Sequence, residues 1–124
     1  MGNRERGVWG ENEAVRFLAA RGFVILDRNW RCSIGELDVV AKDGAELVFV
    51  EVKARSSLRF GHPFEAVTPA KLARLRSLSA LWRDAHPLTT GPSRIDVISV
   101  VLPNSRDRLG SQSPQIEHLR GVFA

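Results

Sequence analysis

Four residues between Gly35 and Arg55 have the types and spacing of a site that handles a hard cation and a phosphate. They are Glu36 and Asp38 in one apolar run, and Glu51 and Lys53 in the next, on either side of an Asp43-Gly44 turn signal. A strand alternates its side chains between two faces. Leu47, Phe49, Glu51, Lys53 and Arg55 therefore share one face, and Val48, Val50, Val52 and Ala54 the other. Glu51 and Lys53 should lie about 7 Å apart, at about 3.3 Å of rise per residue. A two-residue turn at Asp43-Gly44 sets Asp38 opposite Phe49, diagonal to Glu51. A four-residue loop, Asp43 to Glu46, sets it directly opposite Glu51. Both registers put Asp38 on the face of Glu51 and Lys53; a three-residue loop or a bulge turns it away.

Carboxylates held close together resist joint ionisation. Mg²⁺, or Mn²⁺ in its place, resolves that conflict, taking one or two protein carboxylates and keeping water or phosphate oxygens in its other positions. Such an ion activates water and offsets charge on a phosphoryl group. Asp38 and Glu51 are the expected metal ligands, and Lys53 would orient the water or stabilise the transition state. The competing reading is a wet hairpin face with a surface Glu–Lys pair, but Leu47 and Phe49 on the acids' own face make it partly apolar.

Glu11 falls on the apolar stripe of a first helix, reaching toward the site or simply favoured near a helix N-terminus. Glu36 reads as an exposed strand-end acid. Asp96, inside the most apolar run, reads as a partner for an Arg or a cap for a backbone group. Arg55, Arg59, Lys71 and Arg74, with Arg76 and Arg83 beyond, make the stretch after Lys53 basic, which suits a nucleic-acid track or a solvated helix face. Trp9, Trp30 and Trp82 read as core, and Cys32 as a small apolar filler near a turn.

These residues need a scaffold of modest size. The chain has 124 residues, 44% hydrophobic, with 18 Lys and Arg against 14 acids for a formal charge of +4. That suits one domain, 1–124, with one core, and a mild preference for polyanions. A lone cysteine fits a reducing cytoplasm. The opening MGNRERGVWGENEA has no apolar signal region, and no run approaches membrane-spanning length. The three histidines lack zinc-like spacing, and no P-loop, dinucleotide fingerprint, Gly-x-Ser-x-Gly or internal repeat occurs.

The spacing predicts a helix over 4–21, with Val8, Val15, Leu18 and Ala19 as its stripe and Gly22 as its stop. Strands follow at 23–30, 35–42 and 46–55. A loop over 56–67 leads to a second helix opened by Thr68-Pro69, whose apolar face is Leu72, Leu75, Leu78, Ser79 and Trp82. Residues 94–102 (RIDVISVVL) form a strand buried on both faces. A polar loop, 103–115, precedes a short strand or helix at 116–123. The order α-β-β-β-α-β implies an α/β domain with a mixed sheet flanked by helices.

In its segments GENEAVRFLAARGFVILDRNWR (10–31), GELDVVA (35–41), LVFVEVKAR (47–55), GHPFEAV with the following Lys (61–71) and RIDVISV (94–100), the chain resembles the YraN-like family. That family is described as predicted endonucleases related to archaeal Holliday junction resolvases, of the PD-(D/E)xK or restriction endonuclease-like fold. The resemblance implies a Mg²⁺-dependent endonuclease without fixing what it cuts; DNA is expected in preference to RNA, with branched or structured DNA as the candidate substrate. Asp38 takes the place of the first metal-binding acid, Glu51 and Lys53 form the (D/E)xK pair, and Glu11 matches the first-helix acid of resolvase-like members. The group's usual Pro before the first acid is absent, since Leu37 stands there. Two functions are carried forward: a hydrolase of this kind, a homodimer if it cuts two strands symmetrically, and a non-catalytic nucleic-acid-binding or assembly module retaining the fold.

Overall fold

The computed structural model describes residues 2–55, 67–102 and 114–122. Helix α1 spans Asn3–Ala20, strands β1 Val24–Cys32, β2 Gly35–Asp43 and β3 Glu46–Arg55, helix α2 Pro69–Ala85, and strands β4 Ser93–Val101 and β5 Gln115–Leu119. The five strands lie in the order β1-β2-β3-β4-β5. All neighbours are antiparallel except β3 and β4, whose parallel pairing runs from Leu47–Ser93 to Arg55–Val101. The two helices cover opposite faces, so the predicted mixed α/β architecture stands. The short C-terminal element is a strand on the β4 edge, and the expected polar loop lies, over 103–113, outside the described residues.

Local chemistry explains the boundaries. Thr68 caps α2 by accepting the Lys71 backbone N–H at 3.2 Å, with Pro69 at the first helical position. α1 ends in paired bonds from Gly22 N–H to the Ala19 carbonyl and from Phe23 N–H to the Leu18 carbonyl, the Schellman pattern. The β2–β3 ladder closes at Asp43–Glu46, leaving Gly44 and Ala45 as the turn. Gly44 sits at φ 61 in the first central position, where such a hairpin needs glycine.

β3 is sandwiched. Val48 and Val50 join Val39, Ala41, Ile98 and Val100 beneath Ala14 and Leu18 of α1. Leu47 and Phe49 join Val40 and Ile95 beneath Leu72, Leu75, Leu78 and Trp82 of α2. The α2 face is the predicted one. The α1 stripe is partly the expected one: Glu11 and Leu18 are buried and Val15 packs against the core, but Gly10 and Ala14 are buried too, whereas Val8 is 57% exposed and Ala19 is also exposed. The helix turns its small residues to the sheet because it crosses β3 closely. A Cβ on Gly10 would collide with the Ala54 side chain. This close crossing carries Glu11 to the sheet's end.

Asp96, fully buried in β4, does both things expected of it. It accepts bonds from Arg94 Nε at 2.9 Å and the Gly121 backbone N–H at 2.9 Å, and lies 2.7 Å from His118 Nε2. Burial pushes its carboxyl up, but these donors outweigh it and hold the group below the usual range. Arg94 also bonds Glu46 at 2.6 Å and Asp43 at 2.9 Å. The network ties β5 and the hairpin turn to β4.

Gly10→Ala is expected to destabilise the protein by about 1–2 kcal/mol, the overpacking cost exceeding alanine's helix preference. Ala54→Gly in the same chain should recover part of that loss in a denaturant melt; additive losses would show that the two positions do not touch.

Candidate active site

The site forms where the sandwich opens. From Glu51 onward β3 is only partly covered on either face, at the carboxyl ends of the parallel pair β3 and β4. That end of a sheet is where α/β folds commonly bind ligands. The observed hairpin register, one step beyond Val39–Val50, sets Asp38 across from Glu51. This is the register expected for the four-residue loop, with one further pair, Asp43–Glu46, on the ladder and a tight turn at Gly44-Ala45.

Asp38 leaves the regular ladder there. Its Oδ2 accepts the Val52 backbone N–H at 2.8 Å, while Oδ1 takes no hydrogen bond among the described residues. Glu51 Oε1 receives two ammonium groups, Lys53 Nζ at 3.5 Å and Lys71 Nζ at 3.8 Å. A cavity of about 290 Å³ opens over Asp38, Glu51 and Lys71, lined also by Glu36 and Arg74 and floored by α2 leucines, with Lys53 beside Glu51 but outside the lining. The cavity joins residues from β2, β3 and α2. Arg55, the last residue of β3, does not line it. Arg59 lies outside the described residues.

The electrostatics follow from burial and crowding. The Asp38 carboxyl is pushed from 3.8 to about 7, first by burial and then by the Glu51 charge, with Glu11 and Glu36 adding to it and the Val52 N–H opposing it. Burial pulls the Lys71 ammonium down, and the neighbouring Lys53 adds to that, against the pull of Glu51.

Glu11 lies on the other side of Asp38. It is buried, and one oxygen takes Arg28 Nε and Nη2, each at 3.2 Å, and Asn29 Nδ2 at 2.8 Å. Burial still outweighs these donors and leaves its carboxyl raised. Asn29 is held at φ 52, a left-handed conformation that Asn tolerates. A second depression of about 470 Å³ runs from Asp38 and Glu36 past Glu11 to Arg4, Arg28 and Arg31. Glu36 is the exposed strand-end acid expected, paired with Arg31 at 3.1 Å, and it lines both hollows.

Arg28 and Asn29 were not singled out as site residues by the sequence. Their signal is the polar triplet Asp27-Arg28-Asn29 interrupting an otherwise apolar strand. Trp82 is core, as expected, and its Nε1 donates to Asp27 at 2.9 Å. Trp9 and Trp30 are half-buried against the two core clusters, and so is Cys32.

Among the described residues no three His, Cys, Asp or Glu side chains converge closely enough to hold a metal between them. The donor set suits an ion that takes two protein carboxylates, from Asp38 and Glu51, and fills its remaining positions with water or substrate oxygen, as Mg²⁺ does. The raised Asp38 carboxyl, crowded by Glu51, fits a site that gains from a cation.

Residues 10–100 match the uncharacterised protein family UPF0102. A UPF0102 protein of Renibacterium salmoninarum is 53% identical over 118 residues, covering 95% of each chain. One of Beutenbergia cavernae is 55% identical over 116 residues, covering 94% of this chain and 93% of that one. One of Frankia alni is 52% identical over 117 residues, covering 94% and 92%.

A carboxyl whose folded value lies above its unfolded one holds its proton more tightly in the folded state. Its contribution is therefore lost as pH rises from about 4 to about 7 and is flat above that. With chelator present, Asp38→Asn should be more stable than the parent at pH 8 by about 2–4 kcal/mol, and the gap should close as pH falls toward 4. Denaturant melts across that range check it; a gap independent of pH would place the titration elsewhere.

Proposed function

The chain belongs to the UPF0102 family, and we propose that it is a metal-dependent nuclease that hydrolyses phosphodiester bonds in DNA. The observation that carries this reading is the meeting of Asp38 and Glu51, half-buried from adjacent strands, with Lys53 on the carboxylate of Glu51. Two acids crowded enough to raise one of them have little structural use in an apolar sheet, and their cost is lifted by a divalent cation.

Asp38 and Glu51 would hold Mg²⁺ or Mn²⁺, which when bound lowers the pKa of water and offsets phosphoryl charge. Lys53, on the same face as Glu51, orients the attacking water or faces the charge that develops on the phosphorus oxygens. Glu11, fixed by Arg28 and Asn29, contributes negative potential behind Asp38 and helps set the site's appetite for a cation. Cations flank the acids on both sides: Lys71 and Arg74 over one hollow, Arg4, Arg28 and Arg31 over the other. A polynucleotide strand lying across Asp38 meets positive charge in both directions, which suits phosphate binding.

A second reading, a nucleic-acid-binding module without catalysis, is favoured by one observation: Glu51 is already neutralised by two lysines. The two separate in a single assay. Linear duplex, single-stranded and four-way-junction DNA are incubated with Mg²⁺ or Mn²⁺. The parent protein should cut at least one of them, and Asp38→Asn and Lys53→Ala should each cut at least about 100-fold more slowly. Cutting that survives both substitutions overturns the assignment. Binding without cutting by any protein tested selects the module.

The flanking cations make a separate prediction. Arg74→Ala and Arg4→Ala should each lower DNA affinity across sequences and reduce the slope of log affinity against log salt by about one. An unchanged slope in both would remove the cations from the path of the strand.

A further inference from the structure

Resting on the nuclease reading above, we propose that Lys71 is a positioning residue that makes metal entry depend on nucleic acid. Its ammonium holds Glu51 while the cavity lacks a phosphate, and moves to the phosphate when a strand arrives.

The geometry comes from two elements. Lys53 stands two residues from Glu51 on the same strand, so the backbone itself keeps it within reach of that carboxylate. Lys71 instead reaches in from the first turn of α2, across the hollow, to the same oxygen of Glu51 at 3.8 Å. Arg74, three residues on and so on the same side of the helix, lines that hollow with it. A phosphate entering beside Arg74 therefore comes within the sweep of Lys71. The lysine stem has four carbons and a freely turning ammonium, so it can exchange a carboxylate for a phosphate without moving the helix.

Charge balance gives the direction of the coupling. Glu36, Asp38 and Glu51 line the cavity with three negative charges when ionised; Lys71 and Arg74 line it with two positive ones, and Lys53, paired with Glu51 outside the lining, supplies a third. A divalent ion arriving alone leaves two uncompensated positive charges in a partly desolvated hollow. An ion arriving with phosphodiester groups does not. Lys71 strengthens the effect because its charge rests on an oxygen of a metal ligand. The phosphate that draws it off frees that carboxylate at the moment the ion is needed; with no substrate present, Lys71 stays on Glu51 and keeps the ion away. Coupling of this kind is reciprocal: whatever factor nucleic acid adds to metal affinity, metal adds to nucleic-acid affinity.

The test is calorimetric and does not depend on turnover. Mg²⁺ is titrated into the parent protein alone and into the protein saturated with a phosphorothioate-linked DNA duplex that resists hydrolysis. The same pair of titrations is made on Lys71→Met, Lys71→Arg and Asp38→Asn. The parent should bind Mg²⁺ about tenfold or more tightly with the duplex than without. Lys71→Met should bind Mg²⁺ alone about five- to tenfold more tightly than the parent does, and should gain correspondingly less from the duplex. Lys71→Arg, which keeps the charge and reach, should retain most of the coupling; a role confined to helix stability would not sort the variants by charge. Lys71→Gln repeats the measurement if the methionine variant folds poorly. Equal coupling in the parent and Lys71→Met, with Mg²⁺ binding still lost in Asp38→Asn, overturns the gate and leaves the nuclease reading intact. No Asp38-dependent Mg²⁺ binding in the parent, with or without duplex, overturns the reading and the gate together.

Discussion

The pairing register of β2 and β3 is the constraint from which the site follows. The ladder from Asp43–Glu46 to Val39–Val50 keeps Val39, Ala41, Val48 and Val50 under α1 and Val40, Leu47 and Phe49 under α2. A slip of one residue would exchange the two faces and leave both cores mismatched. The same register, carried one step past the apolar pairs, brings Asp38 to Glu51. The hydrophobic pairs therefore aim the acids, and they do so where the helices cease to cover the strand. Apolar packing supplies the rigidity, and the charged residues occupy the part of the strand that packing does not need.

Two ways of handling buried charge coexist in this sheet. At Asp96, donors from Arg94, His118 and Gly121 surround the carboxylate and stabilise its ionised form. Around Asp38 the pattern is inverted. One backbone N–H faces it, while Glu51, Glu11 and Glu36 press on it from the same side of the charge scale. The first arrangement is complete as it stands and joins β5 and the hairpin turn to β4. The second gains from a further positive group. Lys53 and Lys71 make their ion pairs with Glu51, and Lys71 feels Asp38 only through the longer-range field. The contrast separates a structural acid from a functional one more clearly than burial does, since Asp96 is the more buried of the two.

Much of this was legible in the chain. Strand parity placed Glu51 and Lys53 on one face, and both hairpin registers considered placed Asp38 with them. Thr68-Pro69 marked the start of α2, and its apolar positions marked the buried face. The α1 stripe is legible only in part: Glu11 and Leu18 are buried and Val15 packs against the core, but Val8 and Ala19 are exposed, because periodicity weights large apolar residues and this helix packs with Gly10 and Ala14 as well. Close approach between a helix and a strand favours small side chains, and small side chains leave little hydrophobic signal. The clamp of Arg28 and Asn29 on Glu11 was also invisible, since it joins residues 17 and 18 positions away through a left-handed turn of the backbone inside a strand.

The sequence by itself determined the element order, the two helix-covered faces of the sheet, and which acids and ammonium group share a strand face, because these depend on local periodicity and turn chemistry. Tertiary structure alone decided which of two registers the hairpin adopts, that Lys71 reaches Glu51 from α2, that Glu11 stands behind Asp38 in the grip of β1, and that one hollow runs on into the next past the same carboxylate. Those outcomes depend on how a helix and a sheet settle against each other, and that is fixed by the summed packing of many side chains from distant parts of the chain.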